Sequence, residues 1–403
     1  MKDFDITIVG GGLVGMAAAL ALSKYDLKIC LLESIAGDDT FHPSYDDRTL
    51  VVNKASICFW KNIGVWQKVV EHITPIKKVH VSSKGYFGSV NYDAKKYNLE
   101  ALAYIVEAKV LGLNLKQSIR AVKNIHIICP AHVVDFKEEK NNITIEYQED
   151  ESVNKISSKL MIAADGAQSH IRQKLQLVTH VKSYEKSAII CNITPEMKHD
   201  YCAYERLTTT GPTALLPFIN NRCGFIWTVE ESKLNNILEL SDDDFIKQAQ
   251  TQFGYRLGKF LKVGKRTAYP LYLITVPQQV KSRTLLLGNA AHTMSPVSAQ
   301  GLNLAIRDIA NLADVIECAV KNKRDIGSKQ ILQNYQKLVN EDQKQTMKYT
   351  DDLMSWFKID NPVVNQFRSL GLCIFDQFSQ LKFDLFNKVS GYRKGTAKLL
   401  RLK

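Results

Sequence analysis

The chain has 403 residues, which is long enough for two domains, and its 45% hydrophobic and 23% charged residues are a balance typical of globular proteins. Its net charge is +12. The eight cysteines form no C-x-x-C pair and the nine histidines show no ligand spacing, so we predict no disulfide framework and no metal site. This cysteine usage favours a reducing, cytoplasmic compartment, and we predict no membrane-spanning helix.

The first 33 residues carry the clearest motif. Gly10, Gly12 and Gly15 have the G-x-G-x-x-G spacing, and Glu33 follows where an acid that accepts a ribose hydroxyl is expected. The surrounding pattern predicts a strand over 5–9, a helix over 16–23 and a second strand over 27–32. Strand, glycines, helix, strand and acid together indicate a dinucleotide site at a helix N-terminus. An unliganded glycine turn and a secretory signal beginning at Lys2 are the alternatives.

The rest of the chain alternates between helical and strand patterns. We predict a long helix over 99–122, short strands between 125 and 164, antiparallel strands between 188 and 229, and a helix over 242–253. Strands over 269–276 and 284–287 then precede helices over 301–321 and 329–354. A Rossmann-like portion is therefore interrupted by a sheet-rich insert and then resumed, which usually places a ligand at the boundary.

A second motif lies at residues 163–172. A buried strand delivers Asp165 to a turn at Gly166, and a helix begins near Ser169. Asp165 can order this loop or meet a nucleotide, and Arg172 lies where it can pair with Asp165. An ordinary turn with a helix cap explains the same pattern, and the residues alone leave both open.

A third motif joins Gly288 and Asn289 to Pro296 and Gly301. Here a strand ends, small residues form a loop, and a helix starts near Gly301. Small residues let the backbone lie flat against a planar ring, and the helix N-terminus can stabilise an anionic ring edge. By itself this is a weak glycine–proline loop.

In their order and spacing, the three motifs resemble those of the class A flavoprotein monooxygenases of the para-hydroxybenzoate hydroxylase type. Further segments resemble the ubiquinone-biosynthesis hydroxylases, and most of all those that act on 2-polyprenyl-6-methoxyphenol. These segments lie at 47–50, 63–66, 80–82, 205–208, 211–212, 256–259 and 264–271.

This resemblance implies an α/β fold with a Rossmann-like FAD-binding domain, a sheet-rich substrate domain and C-terminal helices. The FAD-binding domain would comprise residues 1–75, 99–180 and 281–340. The substrate domain would comprise 76–98 and 181–280, and the helical region 341–403.

The resemblance also assigns cofactor-binding residues by position. Gly10, Gly12, Gly15 and Arg48 would lie at the FAD pyrophosphate, with Glu33 at the ribose and Val133 at the adenine. Asp165 would brace the nucleotide, Asn289 would meet the ribityl chain, and the isoalloxazine would lie among Pro296, Gly301, Leu302 and Asn303. Three positions depart from the broad family pattern: Asn289 replaces Asp, while Ala299 and Ala305 replace Gly. Lys109 stands where the family often has Arg.

The chemistry implied by the resemblance is ring hydroxylation of a polyprenylated phenol in ubiquinone biosynthesis, through a flavin C4a-hydroperoxide formed from dioxygen. NAD(P)H would be the transient reductant. Tyr204, Arg206 and Pro217 are candidates for the substrate cavity, and His292 is a candidate catalytic residue for which a structural role is the alternative. A non-catalytic scaffold subunit of a quinone-biosynthesis complex and another flavin oxidoreductase on this fold are the competing functions.

The C-terminal region combines basic charge with apolar periodicity. Residues 381–403 contain seven basic residues and one acidic residue, a net charge of +6. Apolar residues recur at helical spacing between Ile374 and Val389. A helix docked on the body and a segment, 374–403, that contacts the inner face of a membrane both explain this pattern. No nucleic-acid motif accompanies the charge.

Overall fold

The computed structural model describes residues 2–36, 48–356, 361–391 and 396–401. The strands are β1 (Lys2–Val9), β2 (Ile29–Leu32), β3 (Thr49–Asn53), β4 (Thr74–Ile76), β5 (Lys78–Ser83), β6 (Ser89–Asp93), β7 (Ala103–Glu107), β8 (Ile125–Ile128), β9 (His132–Glu138), β10 (Ile143–Glu149), β11 (Ser152–Ala163), β12 (His180–Pro195), β13 (Cys202–Thr208), β14 (Gly211–Pro217), β15 (Cys223–Glu230), β16 (Phe260–Val263), β17 (Thr267–Thr275), β18 (Val280–Lys281), β19 (Thr284–Leu286) and β20 (His292–Thr293). The helices are α1 (Leu13–Leu22), α2 (Lys54–Asn62), α3 (Trp66–Val69), α4 (Ala108–Arg120), α5 (His170–Lys174), α6 (Leu234–Leu238), α7 (Asp242–Phe253), α8 (Gln300–Lys321), α9 (Lys329–Trp356), α10 (Pro362–Gln377) and α11 (Ser379–Val389).

The first sheet has the order β18-β19-β11-β1-β2-β8, and β9 and β10 extend it from β11. β19, β11, β1, β2 and β8 run parallel to one another, whereas β18 pairs antiparallel with β19 and β10 antiparallel with β11. Its central strands are apolar on both faces because both faces are covered: Ile6 and Ile8 are fully buried on one side, while Val9 belongs to a second core on the other.

Helix α1 is the innermost helix against this sheet. It packs on α4 and α8, and its alanines are completely buried. Small side chains allow neighbouring helices to approach closely, which explains the alanine-rich sequence after the first glycine motif.

The second sheet is mostly antiparallel and has the order β20-β17-β12-β15-β14-β13-β5-β6, with β16 on β12. One face packs on α7, where the rings of Phe225, Trp227, Phe245 and Phe260 form a core. A third, small sheet, β3-β7-β4, lies where the chain passes between the two large sheets.

The C-terminal helices are attached to the β5–β6 edge of the second sheet. The backbone N–H groups of Gly88 and Asn91 donate to Ser369 Oγ at 2.6 Å and to Asp376 Oδ1 at 2.9 Å. Lys382 Nζ is 2.6 Å from the same Asp376 oxygen. A Cβ at position 88 would lie 1.9 Å from the Ser369 carbonyl oxygen, so a glycine is needed for α10 to approach β6 this closely.

The helix predicted over 99–122 is wrong in its first half. Residues Ala103–Glu107 form β7, which pairs with β3 and β4, and the helix begins only at Ala108. Long-range strand pairing overrides the local helical periodicity here. Within the described residues, no helix combines the length and the hydropathy needed to cross a membrane.

Candidate active site

The carboxyl ends of four parallel strands meet at one edge of the first sheet. β1 leads into Gly10, β2 into Glu33, β11 into Asp165 and β19 into Gly288, so the three motifs and the acid converge. This edge is where open α/β sheets bind nucleotides.

The first glycine loop is held by backbone approaches that exclude a side chain. Gly10 has a φ of +105°, and a Cβ there would lie 2.5 Å from the Ala164 carbonyl oxygen. A Cβ on Gly15 would lie 1.9 Å from the Gly10 carbonyl oxygen. Gly12 is the N-cap of α1 and offers no capping side chain, and the first turn contains no acidic residue. The N–H groups of this turn are therefore available to an anion such as a pyrophosphate.

Glu33 lies directly beside this loop. Its carboxylate accepts hydrogen bonds from the N–H groups of Gly11, at 2.5 Å, and Ile35, at 2.7 Å. Its carbonyl oxygen accepts from Ala131 N–H at 2.7 Å, two residues before the buried Val133 of β9. The residues predicted for ribose and adenine are thus close in space.

The second motif forms a loop that contacts the third. Asp165 Oδ2 accepts from Ile171 N–H at 3.1 Å, whereas its buried Oδ1 has no partner among the described residues. Ser169 caps α5, its hydroxyl accepting from Arg172 N–H, so the helix begins where the sequence placed it. The Arg172 guanidinium does not hydrogen-bond Asp165; it donates to the carbonyls of Ala290 at 3.0 Å and Ala167 at 2.7 Å. Burial lowers the pKa of Arg172, and the nearby Asp165 charge opposes that shift.

The third motif turns sharply before α8. Gly288 has a φ of +60° and packs against Val14 in the first turn of α1, while Asn289 is exposed beside it. Ser298 and Ala299 follow the half-buried Pro296 and adopt left-handed φ angles of 61° and 50°. This conformation is strained for a residue with a Cβ, and it occurs at the position where the family pattern has glycine.

Asn303 fixes the start of α8. Its amide accepts hydrogen bonds from Asn53 N–H and Ser56 Oγ and donates to the carbonyls of Val51 and Ala299, all at 2.7–3.1 Å. Every side-chain bonding position is therefore used within the protein. Gly301 and Leu302 are half-buried in the first turn of α8. They carry no polar side chain, so the polar groups that they offer a cofactor are backbone groups.

Arg48 lies against an aromatic ring, whereas His292 is buried beside a carboxyl group. The Arg48 guanidinium lies 4.7 Å from the centre of the Tyr269 ring, and its carbonyl accepts from Ala108 N–H beside Lys109. Asp47, the first residue of the segment 47–50, lies outside the described residues. His292 Nε2 is 2.7 Å from Asp308 Oδ2, and both side chains are 1% exposed. Burial raises the Asp308 pKa, and the hydrogen bond to His292 opposes the shift. This environment favours a structural role for His292.

An apolar cavity of about 350 Å³ lies between the second sheet, the loop before α8 and the C-terminal helices. Val79 and Val81 of β5 and Ala214 and Leu216 of β14 form its wall on the sheet side. The residues before and at the start of α8, 296–300, form one end. Phe375, Leu385 and Phe386 of α10 and α11 form another part of its lining.

Strand β13 shows which predicted substrate residues face this cavity. Ala203, Glu205 and Leu207 line it, as alternation along a strand requires. Tyr204 borders it, but its ring packs 5.8 Å from Phe253 on the other face. The Arg206 guanidinium donates to the Phe253 carbonyl.

Pro217, at the end of β14, is buried and does not line the cavity. Sequence reasoning missed Glu205. The available signal was a carboxyl between two apolar residues at strand spacing.

This combination of a nucleotide-binding sheet edge with an apolar cavity under an antiparallel sheet defines the class of FAD-dependent aromatic hydroxylases. A model of the "FAD binding domain" family matches residues 3–349, and the chain belongs to that family. Ubiquinone hydroxylase UbiL of Rhodospirillum rubrum is 28% identical, over 94% of this chain and 88% of its own. The 3-demethoxyubiquinol 3-hydroxylase of Escherichia coli is 27% identical, over 94% and 96%.

Among solved structures, p-nitrophenol 4-monooxygenase PnpA from Pseudomonas putida superimposes with a TM-score of 0.81 at 16% identity, covering 98% of this chain and all of that one. The predicted fold class, the resemblance to ubiquinone-biosynthesis hydroxylases and the enzyme class are confirmed.

Proposed function

We propose that this enzyme hydroxylates the aromatic ring of a polyprenylated phenol in ubiquinone biosynthesis. The observation that carries the proposal is the apolar cavity, which extends from the loop before α8 to α10 and α11. The apolar walls suit a phenol ring beside the loop before α8 and an isoprenoid tail between α10 and α11, because the ring and the tail are themselves hydrophobic. The relatives named as ubiquinone hydroxylases support the same substrate class.

The sheet edge fits FAD. The bare α1 N-terminus suits the pyrophosphate, Glu33 suits a ribose hydroxyl, and the unpartnered Asp165 Oδ1 and exposed Asn289 side chain suit further hydroxyl donors. When bound, FAD supplies the activation of dioxygen for transfer to the ring, and we assign NAD(P)H as its reductant. The chain itself positions the ring, excludes water and holds the loop before α8 through Asn303.

We further propose that α10 docks on the surface of an anionic membrane at its cytoplasmic face, where a polyprenylated substrate resides. Val363, Phe367, Leu370 and Ile374 are exposed and follow one face of this helix. Part of the basic charge is used internally, since Lys382 pairs with Asp376 and Lys398 with Glu317. Apolar insertion would therefore carry more of the binding than charge.

Sedimentation with vesicles of mixed neutral and anionic phospholipids tests this surface. Replacing Phe367 and Ile374 with serine should release the protein, whereas serine at Val178 and Val181, similarly exposed before and at the start of β12, should not. Equal binding of both variants would contradict the proposal.

Deletion of the gene followed by quinone profiling tests the function. The expected result is accumulation of an under-hydroxylated prenyl phenol, and the purified protein should show the absorbance of bound flavin. A normal quinone profile contradicts the assignment. Loss of quinone synthesis with a purified chain that binds no flavin would instead support a scaffold role in a biosynthetic complex.

A further inference from the structure

We propose that Glu205 is the catalytic base that accepts the phenolic proton of the substrate inside the cavity. This inference rests on the proposed function, because it requires a phenol in the cavity. It identifies a proton acceptor within this site.

The position of Glu205 in β13 directs its carboxylate into the cavity. It shares the cavity face of the strand with Ala203 and Leu207, and its register partners on the flanking strands are Val81 and Ala214. All four neighbours are apolar. Among the described residues that line the cavity, Glu205 supplies the one carboxyl, and none of them is a lysine, arginine or histidine.

The carboxylate has no hydrogen-bond or ion-pair partner among the described residues. Placing an unpaired carboxylate in an apolar wall costs free energy, and a role confined to stability would favour an apolar residue there. A ligand that donates a hydrogen bond explains why this position carries a carboxyl. A phenol placed in the cavity offers such a donor.

The ionisable groups that face Glu205 are phenols. Tyr349 of α9 and Tyr92 of β6 line the same cavity. Arg206 and His80 belong to the opposite faces of β13 and β5, where Arg206 donates to Phe253 and His80 Nδ1 bonds Asn91 Oδ1 at 2.7 Å. Burial raises the pKa of Glu205 to about 7. Burial, and then the Glu205 charge, raise the pKa of Tyr349. Glu205 is thus the cavity group that changes protonation near neutral pH.

The step is a simple proton transfer. The phenolic O–H bond breaks, a new O–H bond forms on the Glu205 carboxyl group, and the negative charge moves to the phenolate oxygen. A phenolate ring is more electron-rich than a phenol ring and attacks an electrophilic oxygen more readily. A base with a pKa near the working pH is well matched to this transfer. The transfer itself needs no further reagent.

The test uses the flavin-loaded enzyme, with 2-geranyl-6-methoxyphenol as the probe. Ultraviolet difference spectra report whether the bound probe is a phenol or a phenolate, and steady-state rates are measured across pH 6–9. We expect Glu205→Gln to bind the probe as neutral phenol, to lose about 100-fold in kcat and to lose the rise in rate through pH 7. Glu205→Asp should restore part of the rate and the pH dependence. Glu230→Gln, at a partly exposed carboxylate on β15 that pairs with Lys233, is the matched control and should behave as the wild type.

The outcomes distinguish a failure of the role proposed for Glu205 from a failure of the proposed substrate. A kcat within twofold of the wild type in Glu205→Gln, with the phenolate spectrum kept, overturns the proposal. If Glu205→Gln does not fold, Glu205→Asp decides instead: an unchanged pH profile and spectrum overturn it. Failure of the wild type itself to bind or hydroxylate the probe refutes the proposed substrate, and the role of Glu205 with it. An active wild type with an unaffected variant refutes the role of Glu205 alone.

Discussion

The cofactor edge and the substrate cavity are built from different parts of the chain. At the edge, backbone atoms approach one another so closely that Gly10 and Gly15 cannot carry a side chain, and the groups left for a ligand are largely N–H groups. In the cavity, side chains from β5, β13, β14 and the C-terminal helices form the walls, and the Glu205 carboxyl lies among them.

The two regions therefore differ in the substitutions that they tolerate. A backbone site fails when any atom is added, because the strand and helix on either side cannot move apart without losing their packing. A side-chain cavity accepts changes of shape and volume, and it is sensitive where its polar group is altered. Substitutions in the two regions should therefore differ in what they remove: cofactor binding at the edge, and turnover or pH dependence in the cavity.

The largest effect is expected at Gly15. A Cβ in Gly15→Ala would lie 1.9 Å from the Gly10 carbonyl oxygen, so the loop and α1 must separate. We expect the purified protein to contain no flavin and to unfold at a markedly lower temperature, as measured by absorbance and calorimetry. Gly371→Ala, in α10 with no atom near its Cβ, is the control and should keep its flavin. A Gly15→Ala protein with full flavin content would show that this approach is not needed.

The two regions were also unequally predictable. The first loop and Glu33 fall within 24 residues, so their spacing alone indicated the nucleotide site. The cavity depends on which face of β13 looks inward, and that is decided by pairing with β5 more than 100 residues earlier. Tyr204 and Arg206 were selected from the sequence, whereas their neighbour Glu205 projects into the cavity. Similarly, β7 exists because β3 and β4 flank it, a contact that local periodicity does not report.

The next largest effect is expected at Asp308, a buried carboxyl that holds His292 of the third motif. Asp308 Oδ2 receives hydrogen bonds from His292 and from Gln343 at 2.7 and 3.0 Å. Asp308→Ala leaves the buried His292 Nε2 without a partner, while Gln343 Nε2 keeps only its longer bond to Gln279, and the free energy of unfolding should fall by about 3 kcal/mol. Chemical denaturation measures this. Asp352→Ala, in an exposed pair with Lys348, should change stability by less than about 0.5 kcal/mol.

Because His292 is assigned a structural role, the rate per bound flavin should be nearly unchanged in Asp308→Ala. Unchanged stability combined with a large loss of rate would indicate that His292 takes part in the reaction.

A smaller effect follows from the cavity carboxyl. The folded-state pKa of Glu205, about 7, is above its unfolded value of 4.5, so its protonated form favours folding. This contribution is complete below pH 4.5 and is lost as pH rises through 7. Glu205→Gln should therefore be more stable than the wild type at pH 8, by up to about 3 kcal/mol, and nearly equally stable at pH 4.5. Thermal denaturation across this range measures the difference. A constant difference at all pH values would contradict the raised pKa.

The smallest effect is expected at Glu33, which lies at the backbone site but acts through its side chain. Glu33→Gln keeps the shape of the side chain and removes its charge, so the hydrogen bonds from Gly11 N–H and from a ribose hydroxyl should weaken. We expect the dissociation constant for FAD to rise about tenfold, which corresponds to about 1.4 kcal/mol. Titration of the flavin-free protein, followed by flavin fluorescence, measures it. FMN has no adenosine, so its weaker binding should be the same in both proteins. Glu138→Gln, at an exposed carboxylate of β9, should leave both ligands unaffected. An equal loss for FAD and FMN would place Glu33 near the flavin end of the cofactor instead of the ribose, and would reverse the direction in which the cofactor lies along the edge.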